Sequence, residues 1–395
     1  MLPSALAQEI AGDTSAVIGF NVLITDDRGE VVGSGDADRV GTLHEASLEA
    51  LRTHSEVEHS VAQAERLRGV RPGVTLPLVV GGDLVGTVGI TGSPTRVRRF
   101  GRVVRRQIEI LLQVSDAQQS RMLRERALED LVRDIAAFDA DLVEPGALVA
   151  RARGLGYALA ARRCAVLIEV RHSEAAQRRH AWTPDVHALR PEVLRLVRAE
   201  FGGGQDIAAP MGDGRFAVLA SCPPEGGAAR IRAVGERVVD ALDRLGQTGR
   251  AGVGRPARSV ADLHDSCLDA ADALALGSRL RPEAPVHEID DLRVPQTMAA
   301  VGHAQRRRLL ATAAAGLVAR RDWPVHRATV IAWCESGFHL VRAAEALGVH
   351  RNTLVHRLAR IEELTGHCPR QEPRAALALY LACVADRITD GTPPR

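Results

Sequence analysis

The sequence predicts an α+β protein built from several domains, and three observations support this class. The chain has 395 residues, of which 46% are hydrophobic and 25% charged, so it is long enough for more than one globular core. β-rich runs and amphipathic helices alternate through about the first 290 residues. From about residue 300 onward the chain is almost wholly helical.

The first block extends to about residue 135 and contains two hairpin signals. In VIGFNVLITDDRGEVVGSG, a turn signal at Asp26–Gly29 separates two β-rich runs. The segment GVTLPLVVGGDLVGTVGITG turns at Gly81–Asp83. Pro77 lacks an amide hydrogen, so we expect its strand to be an edge strand or to be broken there. The β–β–α–β–β–α order predicts a small antiparallel sheet with helices on one face, which is the plan of small-molecule sensor domains.

A long helix, from about Thr95 to Ile135, follows the hairpins. Its apolar stripe is interrupted, and the run RVRRFGRVVRR places six arginines among eleven residues. A solvated helix face explains this composition. A signalling or dimerising helix between domains is the alternative.

The second block, from about residue 140 to 290, mixes strands and helices. RCAVLIEV and GRFAVLAS are typical of buried strands, and AARIRAVGERVVDALDRLG is an amphipathic helix. The run RAGVGRPARSVADLHDSCLDAADALALG predicts a strand, a turn and a helix. We therefore expect a second α+β domain here.

The third block carries the sharpest functional pattern. Its periodicity predicts helices at about 328–335, 340–347 and 351–364, with glycines at the turns between them. The apolar residues with the spacing to pack inward are Ala344, Leu347, Leu354, Leu358 and Ile361. This predicts a helix-turn-helix, although the spacing alone also fits a helical bundle with an ordinary polar surface.

In such a motif the last of these helices places its N-terminal residues in the major groove of DNA. Arg351 and Asn352 have side chains that read guanine and adenine, whereas histidine and threonine hold phosphates. The predicted DNA-binding residues are His350, Arg351, Asn352, Thr353, His356 and Arg357.

The charge distribution favours an anionic partner at the same end of the chain. The net charge is +2, but residues 303–395 contain 14 arginines and only eight acidic residues. A basic end on a nearly neutral protein indicates an anionic partner there.

Other motifs are absent from the sequence. The six cysteines form no CxxC pair and lie at no metal-type spacing from histidine, so we expect reduced thiols and no cofactor. There is no GxSxG, Walker or HExxH motif. Without a signal-peptide pattern or an apolar run of 18 residues, we expect a cytoplasmic protein with no membrane partner.

The run LGVHRNTLVHRLARIEELTG resembles the C-terminal helix-turn-helix of PucR-type regulators, and most of all that of the carbohydrate diacid regulator family. The family pattern is close to HRNTLxYRLxRIxELTG. The chain follows it from His350 to Gly366, except that His356 stands where the family usually has tyrosine. The role of the family's tyrosine ring is therefore not carried over to this position.

The other two blocks resemble the rest of that family. Both N-terminal hairpin segments are similar to its sugar-diacid recognition domain, and the middle block is similar in outline to its GGDEF-like domain. The resemblance implies a PAS-like α/β sensor domain with a connecting helix, a degenerate GGDEF-like α+β domain and an all-α helix-turn-helix domain. We place these three domains at residues 1–135, 140–290 and 300–395.

The segment SGDADRVGTLHEASLEAL passes from a loop into a helix. Thr42 and Glu45 have the T-x-x-E spacing of a capping box, which makes Thr42 the predicted N-cap. A helix start offers unpaired amides and a positive dipole end to a carboxylate, and Arg39 can bind one at two points. An ordinary capped helix, with Arg39 paired to a neighbouring aspartate, is the alternative.

The resemblance to the recognition domain implies a pocket for an organic acid at this helix start. His44 offers a hydrogen bond to the acid, and the strand that ends at residues 91–92 supplies the opposite wall. Arg71 is a candidate second anchor. The predicted ligand-binding residues are Arg39, Gly41, Thr42, His44, Thr91 and Gly92.

The middle block also invites comparison with nucleotide cyclases, which carry GGDEF between two strands. The corresponding run here is MGDGRF, with glycine and arginine where acidic residues are needed. Asp213 alone does not assemble a two-metal site for phosphoryl transfer. We therefore predict that the block has no cyclase activity and instead transmits a signal or dimerises.

Together these features predict a non-enzymatic, ligand-responsive transcription regulator that binds promoter DNA as a homodimer or larger homo-oligomer. The resemblance implies an activator of sugar-acid utilisation genes with glucarate, galactarate or glycerate as effector. The nearest alternative is a PucR-type regulator that responds to a purine-derived or other metabolite. More distant alternatives are a catalytic protein, either a nucleotide cyclase or a sugar-acid enzyme, and a protein-binding bundle that never contacts DNA.

Overall fold

The computed structural model describes residues 4–172 and 186–389. The chain divides into two compact units, Met1–Arg124 and Glu125–Arg395. The first unit contains both predicted hairpins, and the second contains the middle and C-terminal blocks. Within the two described ranges, no helix is both long enough and apolar enough to cross a membrane.

A single antiparallel sheet forms the centre of the first unit. The regular elements are, in chain order, α1 (Ser4–Ile18), β1 (Val22–Thr25), β2 (Val31–Ser34), a 3-10 turn (Ala37–Arg39), α2 (Glu45–Thr53), β3 (Val57–His59), α3 (Val61–Ala64), β4 (Gly73–Val80), β5 (Asp83–Thr91) and α4 (Pro94–Ala136). The strand order is β2-β1-β5-β4-β3. The predicted hairpins, β1-β2 and β4-β5, are confirmed.

Different helices cover the two faces of this sheet. Val88 and Ile90 of β5 pack with α1 and α4 in one apolar core. Thr87 faces the other side because side chains alternate along a strand, and there its hydroxyl lies 2.7 Å from that of Ser47 on α2. The prediction that helices cover only one face is therefore wrong. The alternation along a strand shows that a sheet has two faces but not which helix covers each one.

β4 is unbroken and lies between β5 and β3, so the prediction of a broken or edge strand is wrong for the strand as a whole. At Pro77 itself, however, the described structure gives β4 a neighbour on the β5 side only, as the prediction requires. β5 pairs with β4 on one side over almost its whole length. On the other side β3 pairs only with Gly73–Thr75. Among the described strands there is thus no ladder beyond Thr75 on that side that the missing amide hydrogen could interrupt.

The middle part of the second unit is a mixed sheet between two helical layers. Its elements are the end of α4, α5 (Pro145–Gly154), β6 (Arg163–His172), α6 (Val186–Phe201), β7 (Ile207–Gly212), β8 (Arg215–Ser221), α7 (Gly227–Arg244), β9 (Gln247–Val253), α8 (Val260–Leu280) and β10 (Val286–Glu288). The strand order is β10-β9-β6-β8-β7, with β9 and β10 parallel. α6 and α7 cover one face, and α5, α8 and the end of α4 cover the other.

The rest of the second unit is helical. Its helices are α9 (Arg293–Ala300), α10 (His303–Ala313), α11 (Trp323–Glu335), α12 (Leu340–Ala346), α13 (Arg351–Thr365) and α14 (Pro373–Thr389). Ala344, Leu354, Leu358 and Ile361 are buried in one core, and Leu347 packs against it. The predicted helix-turn-helix and its inward-facing residues are therefore confirmed.

α14 joins the helix-turn-helix to the middle part of the second unit. Leu379 and Cys383 belong to the helix-turn-helix core, whereas Val384, Ala385 and Ile388 pack in a core shared with α8 and α9. One helix thus contributes to two adjoining cores, so the two parts of the second unit share an apolar interface.

Candidate functional site

The N-cap of α2 lies two residues after the predicted one, because both members of the predicted capping box have other partners. His44 is the N-cap and Glu45 the first helical residue. The Thr42 hydroxyl donates back to the carbonyl of Arg39 at 2.6 Å, and the Glu45 carboxylate accepts from the amide of Arg68 at 2.9 Å. The capping-box prediction is therefore wrong, since the local spacing does not exclude competing hydrogen bonds.

Arg39 closes the 3-10 turn, and only 7% of its surface is exposed. Its Nη2 donates to the backbone carbonyl of Gly69. Its Nη1 is buried and has no hydrogen-bond partner among the residues that the structure describes. Because a guanidinium removed from water needs acceptors for its donors, Nη1 is a donor still to be satisfied. A carboxylate oxygen has the chemistry to satisfy it.

Positive charge dominates the surroundings of Arg39. Asp36 forms an ion pair with Arg71 at 2.9 Å, so the neighbouring-aspartate pairing considered for Arg39 goes to Arg71 instead. Burial lowers the pKa of Arg39, repulsion by Arg71 lowers this pKa further, and Asp36 acts in the opposite direction. Two arginines thus lie beside one carboxylate, an arrangement that favours a further anion.

His44 is 3% exposed and begins a chain of buried hydroxyl contacts. Its Nδ1 lies 2.7 Å from Ser47 Oγ, which lies 2.7 Å from Thr87 Oγ1. The chain ends at Thr25 Oγ1, 2.9 Å from Thr87. Burial lowers the pKa of His44 to about 3, and repulsion from Arg39 is the next cause. The ring is therefore neutral at pH 7 and acts as a hydrogen-bonding group rather than as a cation.

The hydroxyl residues Thr25, Ser47 and Thr87 were not among the predicted site residues. A signal for them was present in β5, where threonine and glycine at positions 87, 89 and 91 alternate with Val88 and Ile90. A buried sheet face of threonine and glycine presents hydroxyls and leaves more room than valine or leucine would.

The structure connects the two predicted walls of the pocket through the loop of residues 68–72. Thr91 lies on the same sheet face as the hydroxyl chain, because β5 alternates regularly there. The amide of Gly92 donates to the carbonyl of Pro72 at 2.8 Å. The same loop bonds to Arg39 and to the first residue of α2. It thus links the start of α2 with the end of β5.

Gly41 and Thr42 lie in the exposed loop before α2. Gly41 has φ +81°, and its amide donates to the carbonyl of Val31 at 2.8 Å. The amide of Val31 donates in turn to the carbonyl of Thr42 at 2.9 Å. These bonds tie the loop to β2, and a direct contact of either residue with a ligand stays a prediction.

α13 presents a polar edge to solvent. Its buried face is formed by Leu354, Leu358 and Ile361. His350 is the N-cap and accepts from the amide of Asn352 through Nδ1 at 3.3 Å. The predicted DNA-binding side chains are exposed, except for the half-buried last one: His350, Arg351, Asn352, Thr353, His356 and Arg357.

Histidines cap both helices of the motif. His339 precedes α12 and accepts from the amide of Arg342 at 3.5 Å, as His350 does at α13. Arg342 is exposed at the start of α12. Because the first helix of such a motif crosses the DNA backbone, Arg342 is a phosphate-contact candidate that sequence reasoning missed. The available signal in the sequence was the histidine directly before each of α12 and α13, which marks the two helix starts.

A partly buried polar contact supports α11, the helix that precedes the two helices of the motif. Asp386 on α14 accepts from Nε1 of Trp323 at 2.8 Å and from Nη1 of Arg327 at 2.6 Å. One carboxylate therefore fixes two side chains of α11, and this holds α11 against α14.

The β7-β8 hairpin contains the run MGDGRF, the segment compared above with the GGDEF motif of nucleotide cyclases. Asp213, in the exposed turn, has φ +48°, and Arg215 forms an ion pair with Glu169 of β6 at 3.1 Å. In residues 4–172 and 186–389, no three His, Cys, Asp or Glu side chains cluster in a way that could hold a metal ion.

Comparison with known protein families gives three matches along the chain. Residues 2–135 match the sugar diacid recognition family, residues 139–276 the GGDEF-like domain, and residues 326–385 the PucR C-terminal helix-turn-helix domain.

Relatives match over nearly the whole chain. The carbohydrate diacid regulator of Escherichia coli is 28% identical over 370 residues, which cover 92% of this chain and 93% of that protein. The uncharacterized protein YsfB of Bacillus subtilis is 25% identical, with 92% and 93% covered. Among solved structures, a regulator of polyketide synthase expression from Bifidobacterium adolescentis is 18% identical, with a TM-score of 0.33. That match covers 67% of this chain and 99% of the solved one.

Proposed function

We propose that this chain, which belongs to the carbohydrate diacid regulator family, is a DNA-binding transcriptional regulator of sugar-acid utilisation genes. The three family matches in one order support the proposal, as does the similarity to the Escherichia coli regulator over 92% of the chain. We propose three domains with bounds of 1–135, 140–290 and 300–395. We also propose a cytoplasmic location, because promoter DNA is accessible there.

The ligand is a small organic acid that binds in the first unit, and Arg39 is the observation that carries this part of the proposal. Its Nη1 is a buried donor without a partner among the described residues. Arg71 lies nearby and forms an ion pair with the carboxylate of Asp36. A ligand carboxylate completes the hydrogen bonding of Arg39 and offsets the excess positive charge. We propose glucarate, galactarate or glycerate as the effector.

The remaining predicted residues of this site take supporting roles. Neutral His44 and the hydroxyl chain suit the hydroxyl groups of a sugar acid, because each can donate or accept. We propose that Thr91 and Gly92 line the wall opposite α2, and that Gly41 and Thr42 shape the entrance loop.

The exposed start of α13 reads promoter DNA. Arg351 and Asn352 contact base edges, while His350 and Thr353 position the helix on phosphates. His356 and Arg357, one turn later, extend the contact along the groove.

We propose that ligand binding shifts the protein between two arrangements that differ in affinity for DNA, and that the result is activation. A ligand shifts this equilibrium only by its difference in affinity for the two arrangements. The GGDEF-like domain transmits the signal and has no enzymatic role. Two DNA half-sites need two helix-turn-helix motifs, so the form that binds DNA is a homodimer or larger homo-oligomer.

Fluorescence anisotropy with labelled DNA from upstream of the gene tests this function. We expect binding by the full chain that falls steeply with salt, because phosphate contacts release counterions. Addition of one sugar acid should change the apparent affinity. Binding that does not depend on salt would overturn the DNA part of the proposal. A response to purine-derived acids and to none of the sugar acids would overturn the ligand part.

A further inference from the structure

α4 has a second apolar face that the first unit does not cover. Val97, Val104, Ile108 and Leu112 pack against the sheet. Another group of apolar side chains on the same helix remains 43–66% exposed: Phe100, Val103, Ile110, Leu111 and Val114. Part of this group borders a shallow groove of about 520 Å³ along the helix. A single helix thus carries one stripe for its own core and one that faces solvent.

The exposed stripe has the period of a coiled coil. We call it the α4 seam, and its members are Phe100, Val103, Gln107, Ile110, Val114 and Ala117. Their spacings alternate between three and four residues, as positions a and d of a heptad do. Gln107 is the one polar member and occupies an a position, where a polar side chain fixes register and favours a defined number of strands.

We propose that two copies of this chain associate through the α4 seam as a parallel two-stranded coiled coil. The seam extends for about 26 Å at the rise of an α-helix. A second copy offers the same heptad, so each apolar member meets its own equivalent across the pair, and the two glutamines meet each other.

The charges beside the seam are compatible with a second copy. Arg102 is paired with Glu56 at 3.1 Å, and Arg106 lies 3.8 Å from Glu109. In a parallel register position g faces position e of the partner helix, so Arg106 meets Leu111 of the second copy rather than another arginine. Self-association therefore does not bring unneutralised arginines together at these positions.

The end of the seam also points to a helical partner. In the described structure no residue from Gln113 to Arg124 is buried. A helical segment of about twelve residues is marginal in water without packing, so a partner helix supplies a reason for this stretch to be helical. Beyond it, Arg121 and Arg124 occupy the next a and d positions, which ends the apolar seam. Leu128 and Leu131 follow in the same phase but are buried in the second unit's own core.

This inference deepens the proposed function, because two DNA half-sites need two helix-turn-helix motifs. It rests on the proposed function only for its biological purpose. The test uses the mass of the free chain, so its failure would leave DNA binding and ligand binding untouched. Sedimentation velocity of the full chain should show a dimer that dissociates on dilution. Ile110→Glu should convert it to a monomer at the same concentration.

Leu123→Glu is the matched control. Leu123 is an apolar residue of the same helix and is 59% exposed, but it lies at a c position outside the seam. It should leave the dimer intact. A monomeric wild-type chain, or equal masses for the wild type and a folded Ile110→Glu variant, would overturn the proposal.

A cysteine cross-link tests the orientation and does not depend on how Ile110→Glu folds. Val103 is a d position near one end of the seam, so Val103→Cys should form a disulfide between two copies only if the helices are parallel. The six native cysteines all lie in the second unit. We expect an oxidised dimer for Val103→Cys on a non-reducing gel and none for Leu123→Cys. Equal cross-linking of the two variants, or none for either, would contradict a parallel seam.

Discussion

Arg39 donates from Nη2 to the backbone carbonyl of Gly69, thirty residues further along the chain. The contact joins the loop before α2 to the loop before β4, and it leaves Nη1 as a buried donor without a partner in the part of the chain that is described. A buried polar group in this condition costs about 1–3 kcal/mol. A carboxylate that accepts from Nη1 should recover that cost, which couples ligand binding to the stability of the first unit.

Gly69→Ala should destabilise the first unit more than Gly41→Ala. Both glycines have positive φ, +69° and +81°, so each alanine introduces strain of about 1 kcal/mol. A Cβ at position 69 would also lie 2.2 Å from the carbonyl oxygen of Leu43, whereas one at position 41 meets nothing within 4 Å. We expect amide hydrogen exchange in β4 and β5 to show a loss of about 1 kcal/mol for Gly41→Ala and at least about twice that for Gly69→Ala. Equal losses would mean that the loop can shift freely.

The first unit should lose stability as the pH falls below about 6.5, because of His44. Burial lowers the pKa of this ring to about 3 in the folded chain, so at intermediate pH the unfolded chain binds a proton that the folded chain excludes. This group alone contributes up to about 1.4 kcal/mol per pH unit in that window. His44→Asn keeps a hydrogen-bonding side chain near Ser47 but cannot titrate, so it should flatten the pH dependence.

The measurement is hydrogen exchange of the β5 amides between neutral and mildly acidic pH, corrected for the intrinsic exchange rate. The second unit also contains a buried histidine, His287, whose pKa burial lowers to about 4. His287 is present in both the wild type and His44→Asn, so its titration does not affect the difference between their pH dependences. Identical pH dependence in the wild type and His44→Asn would show that His44 is not held neutral by burial.

Arg351→Ala should reduce both affinity and sequence preference for promoter DNA. A two-point arginine–guanine contact is worth about 1–3 kcal/mol of discrimination, which is roughly tenfold to a hundredfold in affinity ratio. Arg307→Ala is the matched control, because it removes the same charge from an exposed position on α10, outside the helix-turn-helix. Anisotropy titrations with promoter DNA and with unrelated DNA of equal length separate the two effects. A uniform loss on both DNAs would assign Arg351 to a phosphate instead of a base.

Short-range signals explain what could be predicted from the sequence. The turn at Asp26–Gly29 and the two glycines before β5 define the hairpins within a few residues. In the helix-turn-helix, Leu354, Leu358 and Ile361 recur at helical spacing and are buried as expected. In each case one segment carries both the pattern and the contacts that it predicts.

The features that could not be predicted depend on contacts between distant segments. α2 begins at Glu45 because that residue bonds to Arg68, 23 residues later. The hydroxyl chain unites β1, α2 and β5 through contacts of Thr87 that span 40 and 62 residues. A local capping pattern carries no information about such partners, which is why the predicted N-cap is wrong.

Calorimetric titration of the full chain with glucarate, galactarate and glycerate tests the central claim most directly. The comparison is between the wild type, Arg39→Met, which keeps an unbranched side chain but removes its charge and donors, and Arg28→Met at an exposed turn. We expect the wild type and Arg28→Met to bind at least one acid equally well, and Arg39→Met to bind it at least about tenfold more weakly, as the loss of a charge-assisted hydrogen bond requires. Unchanged affinity in Arg39→Met, or no binding of any of the three acids by the wild type, would contradict the account.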